Sequence, residues 1–141
     1  MSQETIDPRF AIGVTEMDHE HAHWIALIEK FRATASGHLS DRIGIDAARQ
    51  ALQHLADYTK THFASEERLL KACKYPALAE HQQKHRELTA AVARLAEEIS
   101  QRKTDTTPLK LNLLVTVWLL EHIMAEDRKY ARHIIAYRAK A

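Results

Sequence analysis

Across 141 residues the chain has only three glycines, three prolines and one cysteine, and long stretches contain none of them. So few turn-forming residues exclude a fold of many short strands and favour long helices. The lone Cys73 excludes an internal disulfide framework and fits a reducing compartment, so a cytoplasmic setting is expected. No apolar run approaches the length of a membrane span, and the opening MSQETIDPRF lacks the basic-then-apolar pattern of a secretory leader. Membrane insertion is therefore not expected. Neither charge dominates: 20 Lys and Arg face 19 Asp and Glu, a net of +1, which removes the electrostatic case for a nucleic-acid partner. What the chain does have is histidine, in ten copies. With 45% hydrophobic and 28% charged residues, the composition is that of one globular domain.

Hydrophobic periodicity predicts four amphipathic helices, at about 18–37, 42–73, 77–102 and 108–127, between an arm at 1–17 and a basic helical tail at 128–141. Met17, His21, Trp24, Ile25 and Ile28 share one face of the first, with Phe31 at its edge. The stripe of the second is Ala48, Leu52, Leu55, Tyr58, His62, Leu69 and Leu70, and Tyr75-Pro76 is expected to break the chain after it. The third reads Leu78, His81, His85, Leu88, Val92, Leu95, Ile99, an alternation of three and four that suits packing nearly parallel or antiparallel to neighbours. Thr107 and Pro108 read as the start of the fourth, whose stripe is Leu111, Leu114, Val115, Trp118 and His122. Short connections make neighbouring helices antiparallel, so the expected fold is all-α, an up-down-up-down four-helix bundle.

The same periodicity sorts the histidines. His19 and His23 lie roughly 160° from His21 on a helical wheel, so only His21 joins the core stripe. His62 sits in mid-stripe with Glu66 one turn on, whereas Glu67, about 140° from His62, is expected to face water. His81 and His85 occupy consecutive stripe positions, and His122 follows Trp118 by one turn. His38, His54 and His133 fall at a helix end, a stripe edge and the tail. A single inward histidine is most simply a buried side chain satisfied by a polar neighbour. At least one from every helix, with a carboxylate among them, is different, because buried imidazoles and carboxylates cost free energy unless paired or bound to metal. The spacings of His62 with Glu66 and of His81 with His85 let two side chains grip one ion, and mixed imidazole and carboxylate ligands favour iron over copper or a lone structural zinc. On an ideal helix Glu126 shares the His122 face, while Asp127 lies about 140° away unless the helix bulges.

These residues resemble a known family. Met-Asp-His-Glu-His at 17–21, the run from Tyr58 through His62, Phe63 and Glu66 to Glu67, Tyr75-Pro76 with His81 and His85, and the run from Trp118 through His122 and Ile123 to Asp127 are similar to the bacterial hemerythrins. His, HxxxE, HxxxH and HxxxxD occur in that family's order from about Phe10 to Tyr130. The resemblance implies two non-haem irons with a bridging oxo or hydroxo group: His81, His85 and His122 on one, His21 and His62 on the other, Glu66 and Asp127 between them. It therefore also implies a bulge near Asp127. One coordination position stays open on the iron with two histidines, and in the family dioxygen binds there reversibly. Trp24, Phe63, Trp118, Leu119 and Ile123 are near enough in sequence to line the oxygen pocket, and all would equally serve as plain core. The family often has glutamine where this chain has Glu20, and a small aliphatic where it has Trp24, whose larger ring is expected to narrow the pocket.

The expected function is dioxygen transport, storage or delivery to an oxygen-consuming enzyme, by a monomer that is not itself an enzyme. A di-iron oxidase, peroxidase or nitric-oxide-handling enzyme is the alternative, together with a stand-alone oxygen or redox sensor. Against the enzyme, oxygen-activating bundles use mostly carboxylates and a Glu-x-x-His motif on each of two helices. Here that spacing occurs only as Glu16/His19 and Glu20/His23, both off the core face of the first helix. Against the sensor, 141 residues leave no room for an attached signalling domain.

Overall fold

A computed structural model of the chain describes residues 5–35, 42–101 and 119–140. Helix α1 spans Thr15–Ala35, α2 Arg42–Ala72 and α3 Leu78–Ser100. The described part of α4 begins with Leu119–Glu121, widens into a π-helix over His122–Asp127 and continues as Arg128–Ala139. The fold is an all-α four-helix bundle, and no described helix is long and apolar enough to cross a membrane. The expected stop at Gly37, the Thr107-Pro108 start and Trp118 lie outside the described residues.

Side-chain pairs fix the direction of each helix. Glu20 meets Ser65 while Trp24 meets Thr59, so α1 and α2 run in opposite senses. Glu66 meets His81 while Phe63 stacks on His85, which makes α3 antiparallel to α2. His85 meets His122 and Lys84 meets Glu126, while His81 approaches Asp127, so α4 is antiparallel to α3. Glu16 pairs with Arg138 and His21 approaches Asp127, which closes the bundle between α1 and α4. The inner faces form one core that includes Met17, Trp24, Ile28, Phe31, Leu52, Leu55, Leu70, Val92, Leu95, Ile99, Ile123 and Ile134.

Two boundaries depart from the expectation, each for a local reason, and the α2 end falls within one residue of it. Helix α1 starts at Thr15 rather than near 18, because the Asp18 carboxylate accepts from the backbone N–H groups of Ile12 and Gly13 at 2.8 and 3.1 Å. That contact folds the arm back, and Ile12 and Val14 are buried in the core. The segment read as a separate tail continues α4 to Ala139, with Tyr130, Ala131 and Ile134 buried. Helix α2 ends before the proline is reached. The N–H of Tyr75 bonds the carbonyl of Leu70 at 2.9 Å and that of Lys74 bonds Lys71 at 3.1 Å, with Lys74 left-handed at φ 54°. This is the glycine-type helix stop made by a lysine, whose Cβ strains it. Lys74→Gly is therefore expected to stabilise the chain by about 0.5–1 kcal/mol. A urea midpoint that does not rise would show the strain to be absent.

Candidate metal centre

Seven polar side chains converge in the core toward the α2–α3 turn, and all are buried: His21 from α1, His62 and Glu66 from α2, His81 and His85 from α3, His122 and Asp127 from α4. Each arrives through its helix register. His62 and Glu66 are one turn apart, as are His81 and His85. Asp127 reaches the same space because His122–Asp127 is π-helical, and a wider turn brings residues five apart onto one face. Glu126, which an ideal wheel would have chosen, points instead to Lys84 at 2.5 Å and Lys129 at 3.3 Å.

The ligand-type atoms fall into two groups, each lying within 4.8 Å: Glu66, His81, His85 and His122 in one, and His21, His62, Glu66 and Asp127 in the other. Glu66 belongs to both. Its Oε1 lies 2.6 Å from His81 Nε2 and 3.0 Å from His85 Nε2, whereas Oε2 lies 3.4 Å from His21 Nε2 and 3.3 Å from His62 Nε2. Asp127 straddles the groups too, with Oδ2 at 3.0 Å from His21 Nε2 and Oδ1 at 3.1 Å from His122 Nε2 and 3.3 Å from His81 Nε2.

The electrostatics of the cluster call for added positive charge. Burial alone would strip His21 of its proton, yet the adjoining carboxylates of Asp127 and Glu66 outweigh it and push its pKa up to about 10. Burial is likewise overcome at His81, which is raised to about 9 by the same two carboxylates. Glu66 resists its complete burial through the surrounding histidines and stays ionised well below the usual carboxylate range. Asp127 is held down as well: burial and the charge of Glu66 oppose it, and His122 and His21 prevail. Even so, His21 Nδ1 and Nε2, His62 Nε2 and both Asp127 oxygens lack hydrogen-bond geometry to any partner among the described residues. Buried polar atoms left in that condition cost about 1–3 kcal/mol each unless something else satisfies them. Imidazole nitrogens and carboxylate oxygens facing a common centre fit transition-metal cations.

A second ring of contacts steadies this cluster, and the sequence pattern did not single it out. Glu20 Oε1 lies 2.8 Å from His62 Nδ1, and its Oε2 accepts from Ser65 Oγ at 2.7 Å. Glu67 does not simply face water as expected: its Oε2 lies 2.8 Å from His85 Nδ1, because α3 packs along that flank of α2. Tyr130 is fully buried and its hydroxyl donates to Glu66 Oε2 at 2.8 Å. Burial and the nearby charges of Glu66 and Asp127 push its pKa up, so it remains a donor. The signal for Tyr130 was a stripe that runs on through 127, 130 and 134.

Of the expected pocket residues, Trp24, Phe63, Leu119 and Ile123 are all buried. The Trp24 ring lies 5.1 Å from that of His62 and 6.2 Å from that of His21, and its Nε1–H donates to Thr59 Oγ1 at 2.9 Å. Phe63 stacks on His85 at 3.7 Å and lies 5.8 Å from both His62 and His122. His19, His23 and His54 are exposed, while the His133 ring nitrogen reaches the Cys73 carbonyl at 2.6 Å.

Comparison with known proteins points to a cation-binding family. The family model described as the hemerythrin HHE cation binding domain matches residues 12–134. The chain belongs to the hemerythrin family. Its similar relatives include a bacteriohemerythrin of Stenotrophomonas maltophilia, 27% identical over 128 residues that cover 89% of this chain and 78% of that protein. Myohemerythrin-1 of Phascolopsis gouldii is 34% identical over 79 residues, 56% of this chain and 60% of its own. A myohemerythrin of Riftia pachyptila is 29% identical over 124 residues, 88% of each chain. The matched span runs from before α1 into α4 and contains every converging residue.

Proposed function

We propose that this hemerythrin binds dioxygen reversibly at two non-haem iron ions held by His21, His62, Glu66, His81, His85, His122 and Asp127. The observation that carries the reading is that Glu66 and Asp127 each turn one oxygen to either histidine group, an arrangement that would let both carboxylates hold two ions. His81, His85 and His122 would hold one ion, and His21 and His62 the other. An iron pair bound there would supply the electrons for reversible dioxygen binding.

The chain's own part is to hold the ligands and keep protons away. Tyr130 and the histidines fix Glu66 from several sides, so it need not reorganise. Trp24 beside His21 and His62, and Phe63 stacked on His85, screen the site from bulk water. The one N–H of the Trp24 ring is committed to Thr59, so that ring has no proton to donate. Five imidazoles against two carboxylates make a less electron-rich set than the carboxylate-dominated sites that activate oxygen, which favours carriage, storage or delivery over bond cleavage.

The test is an absorbance spectrum of the reduced, iron-loaded protein through a cycle of air and argon. A visible band that forms in air and fades under argon is expected. A band that collapses to a stable ferric product without releasing oxygen would move the assignment to oxidase chemistry. Trp24→Leu is expected to keep its iron yet change the dioxygen off-rate or the autoxidation rate, and unaltered kinetics would remove Trp24 from the pocket wall.

A further inference from the structure

Outside the seven converging side chains, two glutamates touch the cluster from opposite flanks. Glu20 stands on α1 beside His21, and Glu67 stands on α2 beside Glu66. Each lies 2.8 Å from the outer ring nitrogen, Nδ1, of a histidine on another helix, Glu20 on His62 and Glu67 on His85. The two histidines fall in different groups. Their inner nitrogens, Nε2, face Glu66 at 3.3 and 3.0 Å. A carboxylate on Nδ1 keeps the proton there, leaving Nε2 as a lone pair for a cation and making it a stronger donor.

Charge balance points the same way. Neutral imidazoles contribute nothing, so Glu66, Asp127 and the bridging hydroxo group that the resemblance implies still leave two divalent cations with a net positive charge. Glu20 and Glu67 set further negative charge beside it, at side-chain exposures of 23% and 27%, where water still stabilises them. Glu126, also near the site, is already neutralised by Lys84 and Lys129.

We propose that Glu20 and Glu67 are a matched pair of positioning residues, one for each metal ion, that orient His62 and His85 and offset positive charge that the ligands leave on the ions. The inference rests on the metal-pair reading above. It also gives a use to the departure at residue 20: a glutamine would keep the hydrogen bond and omit the charge.

The test compares wild type with Glu20→Gln, Glu67→Gln and the double variant. Glutamine preserves shape and the acceptor for Nδ1–H, so a purely structural contact would survive it. Retention of Fe(II), and of redox-silent Zn(II), is measured against a competing chelator, and the midpoint potential of the iron-loaded protein is recorded. Each single variant is expected to hold both metals about tenfold more weakly, the low end of effects seen for such outer partners. The potential is expected to rise, because the ferric state loses more than the ferrous; a tenfold difference between them reads as about 59 mV per electron. Two ions bound per chain with unchanged affinity and potential in both variants would overturn this inference alone. Failure of the wild type to bind two ions would overturn it together with the metal-pair reading.

Discussion

Glu66→Gln is expected to abolish retention of both metal ions, the largest effect of any single replacement at the site. Glu66 is the one residue common to both groups, and its two oxygens are divided between them. An amide has one oxygen to offer, and its NH2 would point hydrogens at nitrogens that need a cation. The metal-free protein should suffer as well. His21 is charged in its buried position because Asp127 and Glu66 outweigh burial; it keeps Asp127 in the variant, so the loss is expected below the about 3–5 kcal/mol of a buried charge left with no partner. Iron per chain after chelator challenge, and the denaturant midpoint of the metal-free protein, would check both halves. Two irons retained with an unmoved midpoint would mean that Glu66 neither bridges nor neutralises anything.

His122→Ala is expected to remove iron from one group only, leaving one ion per chain on the His21 and His62 side. His122 meets His85 Nε2 at 3.1 Å and belongs to the group that lacks His21. Its ring also forms part of the wall of a cleft of about 290 Å³, lined by Lys84, Glu87, Leu88, Glu121, Ala125 and Glu126. Without the imidazole that cleft opens onto Asp127 and water enters. The leftover acceptor is hydrated, so the loss of stability is expected near the lower end of about 1–3 kcal/mol. The void also has the shape of the missing ring, so free imidazole added to the variant should restore the second ion. Loss of both ions without imidazole rescue would show that the groups do not load separately. Full iron content and an unchanged oxygen adduct would dismiss His122 as a ligand.

Helical periodicity alone separated His21 from His19 and His23, and put His62, Glu66, His81 and His85 on core stripes, because a wheel position decides burial wherever one face is apolar. It could not do the same for Glu20 and Glu67. Both stand on helix flanks, where the wheel says only how far a residue is from the stripe. Whether a flank meets water or a neighbour depends on which helix packs there. Glu67 ended against His85 because α3 lies on its side of α2. Tyr130 was hidden differently: read as part of a tail, it is the continuation of α4 and closes on Glu66.

Asp127 marks the boundary between the two kinds of information. From sequence alone the wheel favoured Glu126, and only resemblance to relatives spoke for Asp127 and a bulge. The π-helical turn lets Asp127 face the buried histidines while Glu126 reaches Lys84 and Lys129. The chain by itself determined four amphipathic helices and which histidines turn inward, since both follow from spacing along one helix. Only the packed bundle decided how the carboxylate oxygens divide between the two groups and which glutamates back the histidines. Those facts are distances between different helices, and no pattern within a single helix contains them.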